Sequence, residues 1–528
     1  MKKLLVLMLT LVCLACLAGC GKSNDASSER MKNGEVVISV GKYMISGGYD
    51  PTLGWGMWGP DPFHSGLHRY NKDNKLEKDL ATDVAVSGDG LEYIIKIKKD
   101  VKFSDGKPLT ARDVVFTYQT AKDAKNAVDL AFLESVQAID DYTVKFTLNK
   151  AWAPFIETTA TLGIVPEHAY KKDTYGDNPI GSGPWKVISF QKEQQLIMVP
   201  NENYYGEKPK LKKVTVLNIG EDAILAAVKS GQVDVAFVNP EYANAKVEGM
   251  KLTVMDSIDA FAVNLPMVAE HEENGVLVGN NITSDLAIRQ ALNIGINREE
   301  IIKNALNGFG EPTMNFSKDL DWTNEALTEK DNRVEEAIQI LENAGWIDSD
   351  GDGIREKNGV KATFTITGRS NDLQRYNTAV ALAKNAEKLG IKIEAKSMAW
   401  SEARKIAKNI PTMWAFGDFS PQAYYSYFHS SQIGKNVINN PAMYNNPIVD
   451  EHIMAAMNAT DWNTVVAEFK LAQWDGQTGP KVDIPYLWIC TVKVPYLVND
   501  KLDLGVLGVN ERGQGMGIVT NIDTWTWK

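Results

Sequence analysis

The sequence predicts a mixed α/β protein folded as more than one lobe, and three observations predict it. Stretches in which apolar and polar residues alternate, as in half-buried strands, are interleaved with stretches of helical period. About 495 residues follow the first 33, more than one hydrophobic core holds, so two or three lobes are expected. No repeat of solenoid length runs through the chain, which leaves sheets and helices packed in layers.

The chain opens on Lys2 and Lys3. An uncharged apolar run, Leu4 to Ala18, follows; it has the length of a signal-peptide core and is short for a membrane span. Leu17-Ala18-Gly19-Cys20 resembles a bacterial lipobox, which implies cleavage before Cys20 and diacylglycerol on its sulfur. Residues 1–20 are read as a lipoprotein signal peptide. Residues 21–33, GKSNDASSERMKN, are small and polar and are read as a flexible tether. Beyond them, LEYIIKI (91–97), YTVKFTL (142–148), KKVTVLNI (212–219) and KATFTITG (361–368) read as strands. Thr110 and Asp113 make a helix-start signal before VVFTYQTA. Helical period is clearest at 284–294, 298–307, 333–344 and 376–389, with Asn297 and Glu300 as a cap pair.

Composition excludes several functions. A net charge of −11 and a pI near 5.3, with no basic stripe, argue against nucleic acid as a partner. Three of the four cysteines, Cys13, Cys16 and Cys20, lie in the leader; Cys490, in the apolar run PYLWICTVKVPYL, reads as a buried small hydrophobe. No disulfide framework or cysteine metal site is expected. Beyond the leader no run of eighteen apolar residues occurs, so the rest of the chain is expected to work outside the cytoplasm while held at the membrane. Thirteen tryptophans suit an adaptable aromatic cleft.

Four stretches carry a family resemblance. They are VKFSDGKPLTARDVVFTYQ (101–119), IGSGPWKVISFQKEQQLIMVPNENYYGEKP (180–209), AIRQALNIGINREEIIKNALNGFGEP (287–312) and EEAIQILENAGWIDSDGDG (335–353). Together, in this order, they resemble the signature segments of family 5 solute-binding proteins, the peptide- and nickel-type receptors of ABC importers. The resemblance implies a two-lobe periplasmic-binding-protein type II fold with a hinged cleft and an extra inserted subdomain. Carried onto this chain, lobe I would comprise 34–53, 180–262 and 495–528, the inserted subdomain 54–179, and lobe II 263–494. The hinge crossings would fall near Asn264–Pro266 and Lys493–Tyr496. The implied partners are a small-molecule or peptide ligand, an ABC permease with its ATPase subunits, and the membrane through lipid on Cys20. The receptor is expected to be a monomer on the extracytoplasmic face of the bacterial cytoplasmic membrane, with no cofactor.

The candidate site residues come from two stretches and one helix. In GWGMWGPDPFHSGLHRY (54–70), Trp55, Met57 and Trp58 are expected at the cleft mouth. His64 and His68 share a face if helical and could supply two metal ligands, although a third group is normally needed. In WAFGDFSPQAYYSYFHSS (414–431) the candidates are Asp418, Phe419, Ser420, Tyr424, Tyr425 and His429. Peptide receptors of the family often carry an aspartate where Ser420 stands, to accept the peptide's ammonium; a serine cannot neutralise that charge. Trp400 and Arg404, one helical turn apart, would suit the aromatic wall and carboxylate clamp of a nickel-chelate receptor, the alternative ligand class. An arginine that such receptors often carry is absent from TATLGIVPEH (159–168). DSDGDGIREKNG (348–359) resembles a calcium loop but places Gly359 where a bidentate glutamate belongs. No nucleophile elbow, Ser/His/Asp order or H-E-x-x-H motif occurs, so a secreted metal-dependent hydrolase is disfavoured and no enzyme activity is expected.

Overall fold

The computed structural model describes residues 23–528 apart from 42, 47, 58, 60, 126–127, 317 and 512–514. Cys20 and Trp58 therefore lie outside the described residues.

The first described element corrects the tether. Ser23–Asn33 is an eleven-residue helix with Arg30 and Lys32 in its last turn, where cations suit the helix dipole. Its polar composition resembles a linker, but Arg30 anchors it. The guanidinium donates from two nitrogens to the Asp234 carboxylate at 2.8 Å each, and Ser27 Oγ donates to the same group at 3.0 Å. Asp234 is fully buried, so a long-range ion pair that no local pattern reveals holds the helix on the body.

Two sheets organise the rest. The first has seven strands in the order Met250–Met255, Val494–Asn499, Val235–Phe237, Glu35–Ser39, Lys213–Leu217, Gln195–Pro200, Trp185–Gln191. Glu35–Ser39 runs parallel to both neighbours and the other pairings are antiparallel. Val36, Ile38, Val214 and Val216 point into its core together with Trp185 and Trp525. The second sheet orders Gly310–Pro312, Tyr486–Val492, Ala260–Asn264 and Met413–Phe416, all antiparallel. Its core is filled by Ile288, Leu292, Leu341, Ile366 and Leu382, which face it from the helices and strands of 286–393.

A third, four-stranded antiparallel sheet, Ala81–Val86, Glu92–Ile97, Thr143–Leu148 and Leu133–Asp140, is packed by the helix Ala111–Ala124. That helix starts on Thr110, whose backbone N–H donates to Asp113 Oδ2 at 2.9 Å. Likewise Asn297 Oδ1 accepts from Glu300 N at 2.9 Å to start Arg298–Leu306. Gly181 marks where this region meets the first sheet. A Cβ there would stand 2.0 Å from the carbonyl oxygen of Phe63, so no larger residue fits the approach.

The chain passes from the first sheet to the second between Met255 and Ala260, and back between Val492 and Val494. The first crossing lies earlier than the expected Asn264–Pro266. Ala260–Asn264 is buried at every position and pairs on both edges, so it belongs wholly to the second sheet. The crossings are bonded to each other. Ser257 Oγ donates to Val492 O at 2.5 Å, and Val492 N donates to Asp259 O at 3.0 Å. Lys493 bridges Asp256 and Glu311 at 3.4 and 2.7 Å. Among the described residues, no helix is long and apolar enough to cross a membrane.

Candidate functional site

A cavity of about 450 Å³ lies beside the crossings, within the range of small-molecule sites. Four elements contribute to it. The strand His68–Tyr70 packs on the helix Phe155–Thr161, which contributes Ala160 and Thr161 to the wall. The irregular C-terminal segment contributes Val506, Asn510, Glu511 and Met516. From the second sheet, the loop after Met413–Phe416 contributes Phe419. Tyr70 and Phe419 meet across the gap with ring centroids 5.3 Å apart, a contact between the inserted region and the loop of the second lobe. A second contact, Trp152 edge-on to Tyr425 at 5.5 Å, closes the same interface farther out.

The electrostatics of this wall are acidic. Burial raises the Tyr70 phenol well above its usual range, and the carboxylates of Glu157, Asp418 and Glu511 add to the effect. Burial also raises Glu157 to about 7, with Asp321 and Asp418 pushing the same way and its own backbone N–H opposing them. Its Oε2 is sealed from solvent and has no hydrogen-bond partner.

The sequence-predicted residues fall into three groups. Phe419 lines the cavity, and Asp418 beside it accepts from Ser420 N at 2.9 Å. Ser420 Oγ in turn accepts from Gln422 N at 3.3 Å, so this pair shapes the turn into the helix Gln422–Phe428. A second group is held within the protein. Trp55 is 5% exposed, packed edge-on against Tyr49 at 4.8 Å and stacked on Phe63 in the core of the seven-stranded sheet. It does not stand at the cleft mouth; beside it in the chain Gly56 and Gly59 reach the cavity, as do His64, His68 and Tyr70 farther along the stretch. Met57 is half-buried against the apolar cluster that includes Tyr93 and Phe155. Tyr424 is buried, stacked on Phe428 at 4.1 Å. Tyr425 packs between Trp152 and His429. Trp400 packs against Trp414 at 5.0 Å and beneath the Arg369 guanidinium, while Arg404 is exposed on the same helix.

The third group is the histidines, and here the helix expectation is corrected. His68 begins a strand and His64 precedes it in irregular chain, so the two do not share a helical face. His64 is bonded at both ring nitrogens, Nδ1 to Asp61 and Nε2 to the Tyr175 hydroxyl, each at 2.8 Å. His68 Nδ1 meets Thr159 Oγ1 at 2.6 Å; burial, helped by Lys78, lowers its pKa to about 4. Both rings touch the cavity wall but act as struts between elements. His429 Nδ1 accepts from Ser431 N at 3.0 Å, which caps the following turn. Among the described residues, one group of metal-capable side chains converges: Asp348, Asp350 and Glu356, in the exposed loop read as calcium-like. Lys361 already pairs with Asp350 and Asp352 there.

Sequence reading missed Glu157, Tyr70, Glu511 and the C-terminal wall. A signal for Glu157 exists, since it is the one charged residue in AWAPFIETTATLGIVP (151–166). The wall at 506–524 has no periodicity to mark it.

Comparison with known proteins agrees with this architecture. The family description "Bacterial extracellular solute-binding proteins, family 5 Middle" matches residues 75–436. Protein XP55 of Streptomyces lividans is 31% identical over 505 residues, covering 93% of this chain and 89% of that protein. The oligopeptide-binding protein AppA of Bacillus subtilis is 28% identical over 506 residues, covering 88% and 90%. NikZ from Campylobacter jejuni, solved in complex with Ni(L-His), superposes with a TM-score of 0.77 at 23% identity, covering 94% of this chain and 99% of that one. That likeness is one of fold, the two-lobe α/β architecture with its hinged crossings. The chain belongs to the bacterial extracellular solute-binding proteins of family 5.

Proposed function

We propose that this protein is the substrate-binding receptor of an ABC importer. It captures a peptide or a related small organic solute in the cavity between its lobes and delivers it to the permease and its ATPase subunits. The observation that carries the reading is the cavity of about 450 Å³ placed where only two short crossings join the lobes. The second lobe reaches this cavity through Phe419, so a ligand in contact with Phe419 as well as the first-lobe wall favours the closed arrangement by its greater affinity for it. Capture without turnover is supported by the family, whose members are solute-binding proteins, and by the wall, in which His64 and His68 are tied to structural partners.

Lipid on Cys20 would hold the receptor on the extracytoplasmic face of the membrane. The helix Ser23–Asn33 then leaves only residues 21–22 between anchor and folded chain, which keeps the receptor close to a permease in the same membrane. The lobes follow the sheets: one around the seven-stranded sheet with the inserted region 54–179, the other around 260–492.

Calorimetry of the leaderless protein against short peptides, free amino acids and nickel–histidine tests the reading. Saturable one-to-one binding of a peptide or organic solute, recovered chemically unchanged, is expected. Turnover of the bound solute, or binding of bare nickel in preference to every organic solute, would overturn it.

A further inference from the structure

We propose that Val506 and Val509 form an apolar platform in the cavity wall and that the solute brings an apolar side chain to it. The proposal rests on the receptor reading above and adds to it the chemistry of the ligand's side chain. Both valines line the cavity. Val506 is 66% exposed, the highest figure for a large apolar side chain among the described residues, and Val509 is 39% exposed. Elsewhere in the wall Met255, Met516, Val519 and Ile522 are each buried, so the protein already covers them. A single exposed valine on an open surface needs no explanation, but two on one segment of a cavity wall form a surface that a ligand can cover.

Their exposure does not come from a loose segment, because the chain around them is anchored at both ends. Asn521 Nδ2 donates to Leu504 O and to Val506 O, at 2.8 Å each. At the other end Asn510 N donates to Asp256 O and Ile258 N donates to Asn510 O, both at 2.8 Å, which ties the segment to the crossing between the lobes. Between these anchors Leu507 turns inward and packs against the core of the seven-stranded sheet. Gly508 lets the segment lie against the turn at Lys72, since a Cβ there would stand 3.0 Å from the Lys72 carbonyl oxygen. The backbone is fixed while two side chains stay uncovered. Valine is stiff at χ1, so covering this surface costs little side-chain entropy and the platform is ready before the solute arrives.

The position of the valines selects their occupant. They line the same cavity as Phe419, which comes from the second lobe, so the cover that fits them is the solute itself and not a second protein on an open face. A leucine, valine or phenylalanine side chain gains from leaving water for this wall, and a serine or asparagine side chain does not. The solute class is therefore narrowed to one with an aliphatic or aromatic group.

The test uses the leaderless full chain in calorimetry. The probes are alanine tripeptides carrying one leucine, or one serine, at each of the three positions in turn. At one position or more, the leucine form should bind about 5- to 30-fold tighter than its serine counterpart, with a more negative heat-capacity change. Combining Val506→Ser with Val509→Ser should reduce that preference to about twofold or less. The unfolding midpoint should hold, because both side chains are exposed. If leucine and serine forms bind alike at every position, or the double variant keeps the leucine preference, the platform is overturned and the receptor reading stands; in the second case the valines are left to a protein partner. If wild type binds none of the probes, the platform falls together with the peptide reading.

Discussion

Gly417 is where closure of the lobes can be blocked with one methyl group. It follows the strand Met413–Phe416 of the second sheet, and a Cβ built on it stands 1.9 Å from the carbonyl oxygen of Glu511. Glu511 follows Asn510, whose backbone bonds to Asp256 and Ile258 hold it on the crossing beside the first lobe. Ordinary contact needs about 3.4 Å, so Gly417→Ala demands a separation of about 1.5 Å between backbones that now touch. Overpacking of this kind costs about 1–3 kcal/mol. If parting the lobes relieves it, the cost falls on the closed form alone and weakens ligand binding about 5- to 150-fold. The assay is calorimetry of wild type and variant with the same bound peptide, alongside thermal unfolding of both without ligand. Weaker binding with a nearly unchanged ligand-free midpoint is expected. Equal affinity would refute the closure argument. A ligand-free variant destabilised by the same free energy would also refute it, because the contact would then persist in the open form.

Three further outcomes follow from the packing and the titrations. Trp55→Ala should lower stability by about 3–5 kcal/mol in denaturant unfolding, since Trp55 packs with Tyr49 and Phe63 in the core; an unchanged midpoint with lost binding would return it to the cleft. Arg30→Ala leaves the buried Asp234 carboxylate without its two guanidinium bonds. The helix Ser23–Asn33 should then become an early site of limited proteolysis, and equal protection in the variant would count against the docked helix. His68 is neutral in the folded protein, its pKa lowered to about 4 by burial and then Lys78, while the unfolded chain takes a proton below about 6.5. Its contribution is complete above about pH 6.5 and is lost as pH falls toward 4. His68→Gln should flatten the stability decline across that window, measured as urea midpoints at pH 7 and pH 5.

The regular elements were legible because period is local. The stretch 142–148 becomes the strand Thr143–Leu148, and 333–344 becomes the helix Val334–Asn343. Caps were legible for the same reason, since Thr110 with Asp113 and Asn297 with Glu300 are three residues apart. Sheet order was not, because Glu35–Ser39 sits between strands that lie nearly two hundred residues downstream. The tether failed on a contact of the same kind, Arg30 with Asp234. Trp55 failed because composition says an aromatic is large and apolar, not whether it faces a core or a cleft; Tyr49 and Phe63 decide that. The resemblance placed a crossing near Asn264–Pro266, yet the crossing is set by where paired strands end, at Met255 and Ala260. In the site, Phe419 was found through a family-like loop, while Tyr70 and the C-terminal wall were missed because no local pattern says that they meet across a cavity.

Small-angle scattering of the leaderless protein, alone and with a peptide shown by calorimetry to bind, tests the central claim most directly. Saturating ligand is expected to shrink the radius of gyration as the lobes close about the cavity, with the peptide recovered intact afterwards. An unchanged radius with ligand bound, or a peptide recovered in pieces, would contradict a receptor that works by closing on its solute.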